Sequence, residues 1–346
     1  MTTGPTDTAR DTELVPTPDD LRSGIDQFLA FVDENERFVV VSHASPDGDA
    51  VGSTLAMGLL LERLGKDVVF YNQDPPPYNF EFLPGAERIT NQIPEDFEVD
   101  VTVVLDCAEP SRVGEAFPDR GWGDSIVVVD HHKTWDAEFA DLYVRDVDAA
   151  ATGELVYRAV AASAAELDAD IAKNLYCCLM TDTGSFRYSN TSRTTFRIAG
   201  ELIEAGVNPW DMTSHIYENE PKKRLDLLSL VLKTLRMSSC GRLAFLRIER
   251  HMFEQTDTGP EYTDGFINYA RSIEGVEVAT QLREEGDEWK ISFRSRGMVD
   301  VSELASRFGG GGHHNAAGCR MSGEPREIED KLSQALVDIL DRPSNA

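Results

Sequence analysis

The chain is 346 residues long and carries a formal net charge of −28 with 41% hydrophobic residues. That length favours two domains over one, and the hydrophobic content suffices for packed cores, yet no stretch approaches the roughly 18 to 20 consecutive apolar residues of a membrane helix. So strong an acidic excess also argues against a sequence-independent grip on long nucleic acid, which depends on basic patches.

The first 20 residues are rich in Thr, Pro and Asp, with no basic start and no apolar h-region. They are expected to form a disordered tail, not a signal peptide. Cys107, Cys177, Cys178, Cys240 and Cys319 show no CxxC spacing, which suits reduced thiols in a cytoplasmic protein. Only 8 of the 33 basic residues are lysine. Acid-rich, lysine-poor surfaces resemble those of halophilic proteins, whose self-repulsion is screened by a Debye length of about 3 Å at 1 M salt.

Apolar positions Leu21, Ile25, Phe28, Leu29 and Val32 predict a first helix. A buried strand at Phe38–Val41 leads into the loop carrying His43, then a helix through Val51–Leu61. Val68–Tyr71 is the next strand, followed by the Pro-rich loop Asp74–Pro77. The apolar runs Val101–Val104 and Ile126–Val129 read as parallel strands ending near Asp106 and Asp130. Helices at Gly153–Ala164 and Ala169–Met180 complete a doubly wound parallel α/β sheet. One connecting helix is expected over Asn219–Met237, with Pro221 in its first turn. A smaller α/β unit follows, with strands at Leu243–Ile248, Val276–Leu282 and Lys290–Phe293. Helices near Val301–Phe308 and Pro325–Leu340 close it. The expected divisions are a tail at 1–20, a first domain at 21–215, a linker helix at 216–237 and a second domain at 238–346.

Four acidic or histidine-bearing signatures follow apolar segments of the first domain. In His43-x3-Asp47-x-Asp49 the two carboxylates lie two apart, so an extended loop would send one to each of two cations, with His43 joining Asp47. The plainer alternative is a turn followed by a helix cap at Asp49. Asp106 closes a strand and has two oxygens with which to bridge two ions, although a strand-terminal Asp can equally cap a turn. Asp130-His131-His132, after a buried Ile-Val-Val-Val run, is harder to explain by packing. Asp182 lies in Thr-Asp-Thr-Gly-Ser-Phe-Arg, where the small polar residues could be simple turn chemistry, while Arg187 suits a phosphate or base. Six oxygen or imidazole ligands at the carboxyl edge of a parallel sheet suit a pair of divalent cations. In the second domain Gly310, Gly311, Gly312 and His313 follow Phe308-Gly309, a run free to aim backbone N–H groups at an anion. Arg294 and Arg296, ending the preceding strand, could hold phosphate there.

These four signatures, in this order, resemble those of the DHH phosphoesterase superfamily, and Gly310 to Gly318 resembles its associated C-terminal substrate-binding domain. Within the superfamily the wording is most similar to the NrnA-like enzymes. That resemblance implies cleavage of very short oligonucleotides and removal of phosphate from 3′-phosphoadenosine 5′-phosphate. Carried over by position, it implies that His43, Asp47 and Asp106 hold one cation and that Asp49, Asp106, His131 and Asp182 hold a second. Asp130, His131 and His132 form the catalytic signature. His132, Arg187, Arg294 and His313 would meet the substrate's phosphates, and Asn190 fits the same branch. Arg296 and His314 receive no role from the resemblance. Manganese is the expected ion, with magnesium or cobalt as alternatives, and a homodimer is expected from the family. The expected partner is a short oligonucleotide or nucleotide, with no membrane. The rivals are a cyclic or linear dinucleotide phosphodiesterase, a manganese pyrophosphatase, a RecJ-type exonuclease and a non-catalytic nucleotide-binding scaffold.

Overall fold

The computed structural model describes residues 17–118, 121–133 and 135–340, except the side chains of His313 and Leu340. The chain divides between Asn219 and Glu220 into two compact units. Most of the expected tail, residues 1–16, lies outside the described residues.

In the first unit the order is α1 (Asp19–Glu34), β1 (Arg37–Val41), α2 (Gly48–Arg63), β2 (Asp67–Tyr71), β3 (Val101–Leu105), α3 (Pro110–Val113), β4 (Ser125–Asp130), β5 (Leu142–Arg145), α4 (Thr152–Ala162), α5 (Ala169–Asp182), α6 (Arg193–Glu204) and α7 (Pro209–Tyr217). Helix α1 thus begins two residues inside the segment expected to be tail. All strand pairings in its five-stranded sheet are parallel, in the order β2-β1-β3-β4-β5. The Val-rich strands β1, β3 and β4 are buried on both faces, so they read as continuous apolar runs rather than alternating ones. One face packs Phe38, Val40, Val103 and Val127 against the helices. The other packs Val39, Val41, Val104 and Val128 beneath α3 and loop residues such as Phe117, Trp122 and Phe139. Strand β5, with only Leu142 and Val144 buried, is too short to declare itself in the sequence.

Helix α2 is buried almost all round because it is wedged between the sheet and α5. Glycine makes that approach possible. A Cβ on Gly52 would stand 2.6 Å from both the Asn174 carbonyl oxygen and Cys178 Sγ, and one on Gly153 would stand 2.3 Å from Cys178 Cβ.

The second unit contains α8 (Lys222–Leu232), β6 (Arg236–Met237), β7 (Leu243–Ile248), α9 (Arg250–Thr256), α10 (Phe266–Arg271), β8 (Val278–Glu285), β9 (Glu288–Ser295), α11 (Val301–Ser306), β10 (Gly311–His313), β11 (Ala316–Ser322) and α12 (Pro325–Leu340). Its mixed sheet runs β10-β11-β9-β8-β7-β6. The expected linker helix is corrected in two respects. It ends at Leu232, and Arg236 and Met237 instead pair antiparallel with β7. Leu227, Leu228 and Val231 bury against β7, β8, α9 and α10, so α8 is part of this unit's core and not a free connector. The glycine run is also not a loose loop, since Gly311–His313 pair with Ala316–Gly318 as an edge strand. A Cβ on Gly310 would stand 2.1 Å from the Gly318 carbonyl oxygen, and Gly312 sits at φ +143°, so the tight pairing itself requires glycine.

Valine at position 52 must push α2 from α5. Gly52→Val is expected to destabilise the chain by about 1–3 kcal/mol, as overpacked core sites do. Gly200, in mid-α6 with nothing near its missing Cβ, is the opposite case. Gly200→Ala should stabilise by roughly 0.5–1 kcal/mol, and denaturant unfolding of the two variants checks the contrast.

Candidate metal centre

In an open parallel sheet the crevice forms where neighbouring strands send their connections to opposite sides. Here that point lies between β1 and β3, which pair directly although β2 intervenes in sequence. His43 follows β1, Asp106 follows β3, Asp130 ends β4 with His131 and His132 next, and Asp182 ends α5. Asp47 is the N-cap of α2, its Oδ1 accepting from the Asp49 and Ala50 amides at 3.1 Å each. The capping reading was therefore sound but belongs to Asp47, not Asp49.

Six of these side chains converge. His43, Asp47 and Asp106 form one set whose ligand atoms lie within 4.8 Å of one another, and Asp49, His131 and Asp182 form another. Asp106 serves both sides. Its Oδ2 lies 3.7 Å from His43 Nε2 and its Oδ1 lies 3.6 Å from His131 Nε2. His131 Nε2 is also 3.8 Å from Asp49 Oδ2 and 3.6 Å from Asp182 Oδ2. These separations are too long for hydrogen bonds. They match the roughly 3–4 Å between donor atoms that share one ion at about 2.0–2.2 Å. The donor set of carboxylates and imidazoles therefore fits a pair of divalent cations.

The ring orientations point the same way. His43 Nδ1 donates to the Ala44 carbonyl at 2.9 Å and His131 Nδ1 to the Ala149 carbonyl at 3.1 Å. A carbonyl can only accept, so each ring keeps a proton on Nδ1 and turns Nε2, the nitrogen a cation would take, to the carboxylates. Asp49 is held by the first turn of α4, accepting from the Thr152 amide at 2.6 Å and the Gly153 amide at 3.0 Å. Thr152 Oγ1 donates to Asp106 Oδ1 at 2.9 Å. Asp106 itself has a left-handed backbone (φ +56°), a strained conformation that turns its carboxylate off the strand and into the crevice.

Charge follows geometry. Burial lifts Asp49 to about 7, helped by the Asp106 carboxylate. Burial likewise raises Asp182 well above the usual carboxylate range, with Asp49 adding to it. Burial works against Asp106 too, but the imidazoles of His43, His131 and His132 outweigh it and hold that carboxyl near about 2. The converse holds for the rings. Despite burial, Asp106 and Asp47 raise His43 to about 9, and Asp106, Asp49 and Asp182 raise His131 to about 9.

Asp130 does not join either set. It is fully buried and accepts from His132 Nδ1 at 2.7 Å, so it positions that ring. Arg187 is exposed, with Nε donating to the Gly184 carbonyl at 2.6 Å. Asn190 is a brace and not a substrate donor, because its Nδ2 bonds the Ala150 and Asp182 carbonyls at 3.0 and 3.1 Å. In the second unit Arg294 is half-buried on β9. Arg296 Nε donates to the Arg271 carbonyl at 3.0 Å, closing the end of α10, and His314 Nε2 meets the Gly297 carbonyl at 2.9 Å. Those contacts give Arg296 and His314 structural roles. Gly310, Gly311 and Gly312 belong to the edge hairpin described above, and the His313 side chain lies outside what is described. Sequence reasoning missed Thr152, whose signal is a Thr-Gly pair opening α4 after three alanines.

The DHH family, N-terminal domain, matches residues 37–181, and the DHHA1 domain matches residues 244–342. The Thermus thermophilus protein named bifunctional oligoribonuclease and PAP phosphatase NrnA is 35% identical over 305 residues, 88% of this chain and 90% of that protein. The chain belongs to the DHH family. The Bacillus subtilis protein of the same name is 25% identical to this DHH-family chain, covering 82% of it and 88% of the relative. A solved structure of an exopolyphosphatase-related protein from Bacteroides fragilis aligns with a TM-score of 0.85 at 28% identity, covering 92% of this chain and 96% of that one. Among the described residues no helix is long and apolar enough to cross a membrane.

With His43 and His131 near 9 and no cation present, both rings hold protons at pH 7, and cation entry must expel them. Affinity for a divalent cation is therefore expected to rise from pH 6 to about 9 and then level. Titration calorimetry at pH 7 in two buffers of different ionisation heat should report about two or more protons released per loaded chain. Loading without proton release would contradict the arrangement.

Proposed function

We propose that this DHH-family protein is a phosphoester hydrolase acting on nucleotides and very short oligonucleotides, with 3′-phosphoadenosine 5′-phosphate as a second substrate. The supporting observation is the bridging disposition of Asp106, whose two oxygens address the two imidazole-bearing ligand sets. His43, Asp47 and Asp106 would hold one divalent cation, and Asp49, Asp106, His131 and Asp182 the other. When bound, such a pair supplies Lewis-acid activation of water and neutralises charge gathering on phosphorus. Manganese suits the mixed donors best.

The protein's own residues supply the remainder. His132 is raised above its ordinary value because, although burial opposes it, Asp130 accepts from its Nδ1 and Asp106 lies close. The protonated ring carries its second N–H on Nε2, which suits it to neutralise a phosphoryl oxygen or to protonate the departing oxygen as the P–O bond breaks. Asp130 positions that ring, as second-sphere carboxylates do. Asn190, tied to Ala150 and Asp182, fixes the backbone that presents the Asp182 carboxylate. Arg187, on the same loop, can meet phosphate bidentately. A scaffold that had lost activity would be expected to have shed ligands, and all six positions are filled.

The test is hydrolysis of a dinucleotide, longer RNA and DNA oligomers, 3′-phosphoadenosine 5′-phosphate, cyclic di-AMP and pyrophosphate with manganese, in dilute and molar salt. The dinucleotide and 3′-phosphoadenosine 5′-phosphate should turn over fastest. Asp106→Asn should lower kcat/KM at least about 100-fold, more than loss of a merely supporting group. Unchanged turnover in that variant would exclude the proposed centre.

A further inference from the structure

At the end of the sheet that carries the metal centre lies an open cavity of about 730 Å³, lined among others by Glu109, Pro110, Phe117, Trp135 and Asp136. Its walls are the loops that follow β3 and β4, the same strands that deliver Asp106 and the Asp130-His131-His132 run. Those loops are joined, since the Asp136 amide donates to the Ala108 carbonyl at 2.9 Å. The loop after β1 is tied in as well, through the Ala44 amide and the Arg112 carbonyl at 2.8 Å. The cavity is thus part of the carboxyl edge of the sheet and not a remote surface hollow.

Trp135 is 45% exposed, although it lies only three residues past His132. Its ring is held from two sides. The Arg145 guanidinium sits 4.5 Å from the ring centroid, and Tyr143 meets it edge-on at 4.9 Å. Arg145 also donates to the His132 carbonyl, which links the ring to the catalytic signature. A braced aromatic face left open to a cavity is suited to stacking, since every nucleobase offers a π-face. The polar lining selects against phosphate, because Glu109 and Asp136 are acceptors and among the named wall residues there is no cation. It suits the donors of a nucleoside, namely exocyclic amino groups and ribose hydroxyls. The volume falls in the range of small-ligand sites.

The geometry points to this cavity as a nucleoside subsite, in which a base of the substrate stacks on Trp135 while Glu109 and Asp136 accept from its amino or hydroxyl groups. The inference rests on the hydrolase reading above and adds to it which half of the substrate enters this side of the sheet. A nucleotide would then be recognised by its base and sugar here and by its phosphate at the cation ligands.

The experiment compares diadenylate with its abasic counterpart in wild type, Trp135→Ala and Trp135→Phe. In wild type the abasic substrate should show a KM about 10- to 100-fold higher, the range expected for one lost stacking contact. That ratio should fall towards unity in Trp135→Ala and largely return in Trp135→Phe. A ratio preserved in Trp135→Ala overturns the subsite. A second readout needs no turnover. Adenosine 5′-monophosphate should quench tryptophan emission in wild type, and the quenching should vanish in Trp135→Phe. Quenching that is absent, or that survives in Trp135→Phe, also overturns it. If wild type cleaves neither dinucleotide, the hydrolase reading fails, and the titration alone decides whether the cavity takes a nucleoside.

Discussion

The architecture of the first unit is organised around one electrostatic problem, that of holding the buried carboxylates Asp49 and Asp106 close together beside a third, Asp182. Two like charges about 4 Å apart repel by about 4 kcal/mol at an effective dielectric near 20. Asp49 and Asp106 are both buried to within 2% exposure, so neither can shed that cost by swinging into solvent. Three local devices offset it. The amides opening α4 take Asp49, Thr152 takes one oxygen of Asp106, and the imidazoles of His43, His131 and His132 surround Asp106. Protons do the rest when no cation is present, which is why Asp49 moves up while Asp106 stays low. The three imidazoles around Asp106 make it the group whose charge the surroundings are built to keep.

That cluster depends on helix packing some distance from the ligand atoms. Asp49 reaches α4 only because α2, α4 and α5 meet at Gly52, Gly153 and Cys178, where no further side chain fits. Cys177 and Cys178 donate weakly to the Gly48 and Asp49 carbonyls at 3.6 Å each, so the same contact settles the start of α2 on α5. Asp182, at the far end of α5, is placed by that packing as much as by its own loop. The left-handed backbones at Ser45, Asp106, Ser185 and Phe186 gather around the same site. Strain of that kind persists where surrounding structure over-determines it.

Much of this was legible in the sequence because parallel strands buried on both faces leave unbroken apolar runs, and the runs of β1, β3 and β4 each lead within two residues to a ligand, His43, Asp106 and His131. Val101–Leu105 predicts both β3 and the position of Asp106 without reference to any contact. What escaped depends on partners remote in sequence. Strand β5 is defined by pairing with β4 and not by its four residues. The α8 pattern continues past Leu232 to Leu235, yet capture of Arg236 and Met237 by β7 ends the helix. The glycine run reads locally as freedom, but its pairing with Ala316–Gly318 turns the same residues into a requirement for close approach. Thr152 and Asn190 act on the site through two hydrogen bonds each, and such bonds have no periodicity to betray them.

The acidic surface and the proposed substrate class can be reconciled by considering range. A net charge of −28 repels any polyanion at distances beyond the Debye length, about 8–10 Å at moderate salt, and the repulsion grows with every phosphate the ligand carries. Long nucleic acid, with one charge per about 1.7 Å of duplex, would need basic surface to overcome it. A mono- or dinucleotide brings few charges, so local attraction from the proposed pair of divalent cations, with His132 and Arg187, would exceed the global repulsion once the ligand is inside. Global charge then acts as a length filter and the centre as the point of capture. On this view an acidic exterior is compatible with a phosphate-binding interior, because the two act at different distances, and added salt should weaken the filter before it weakens the centre.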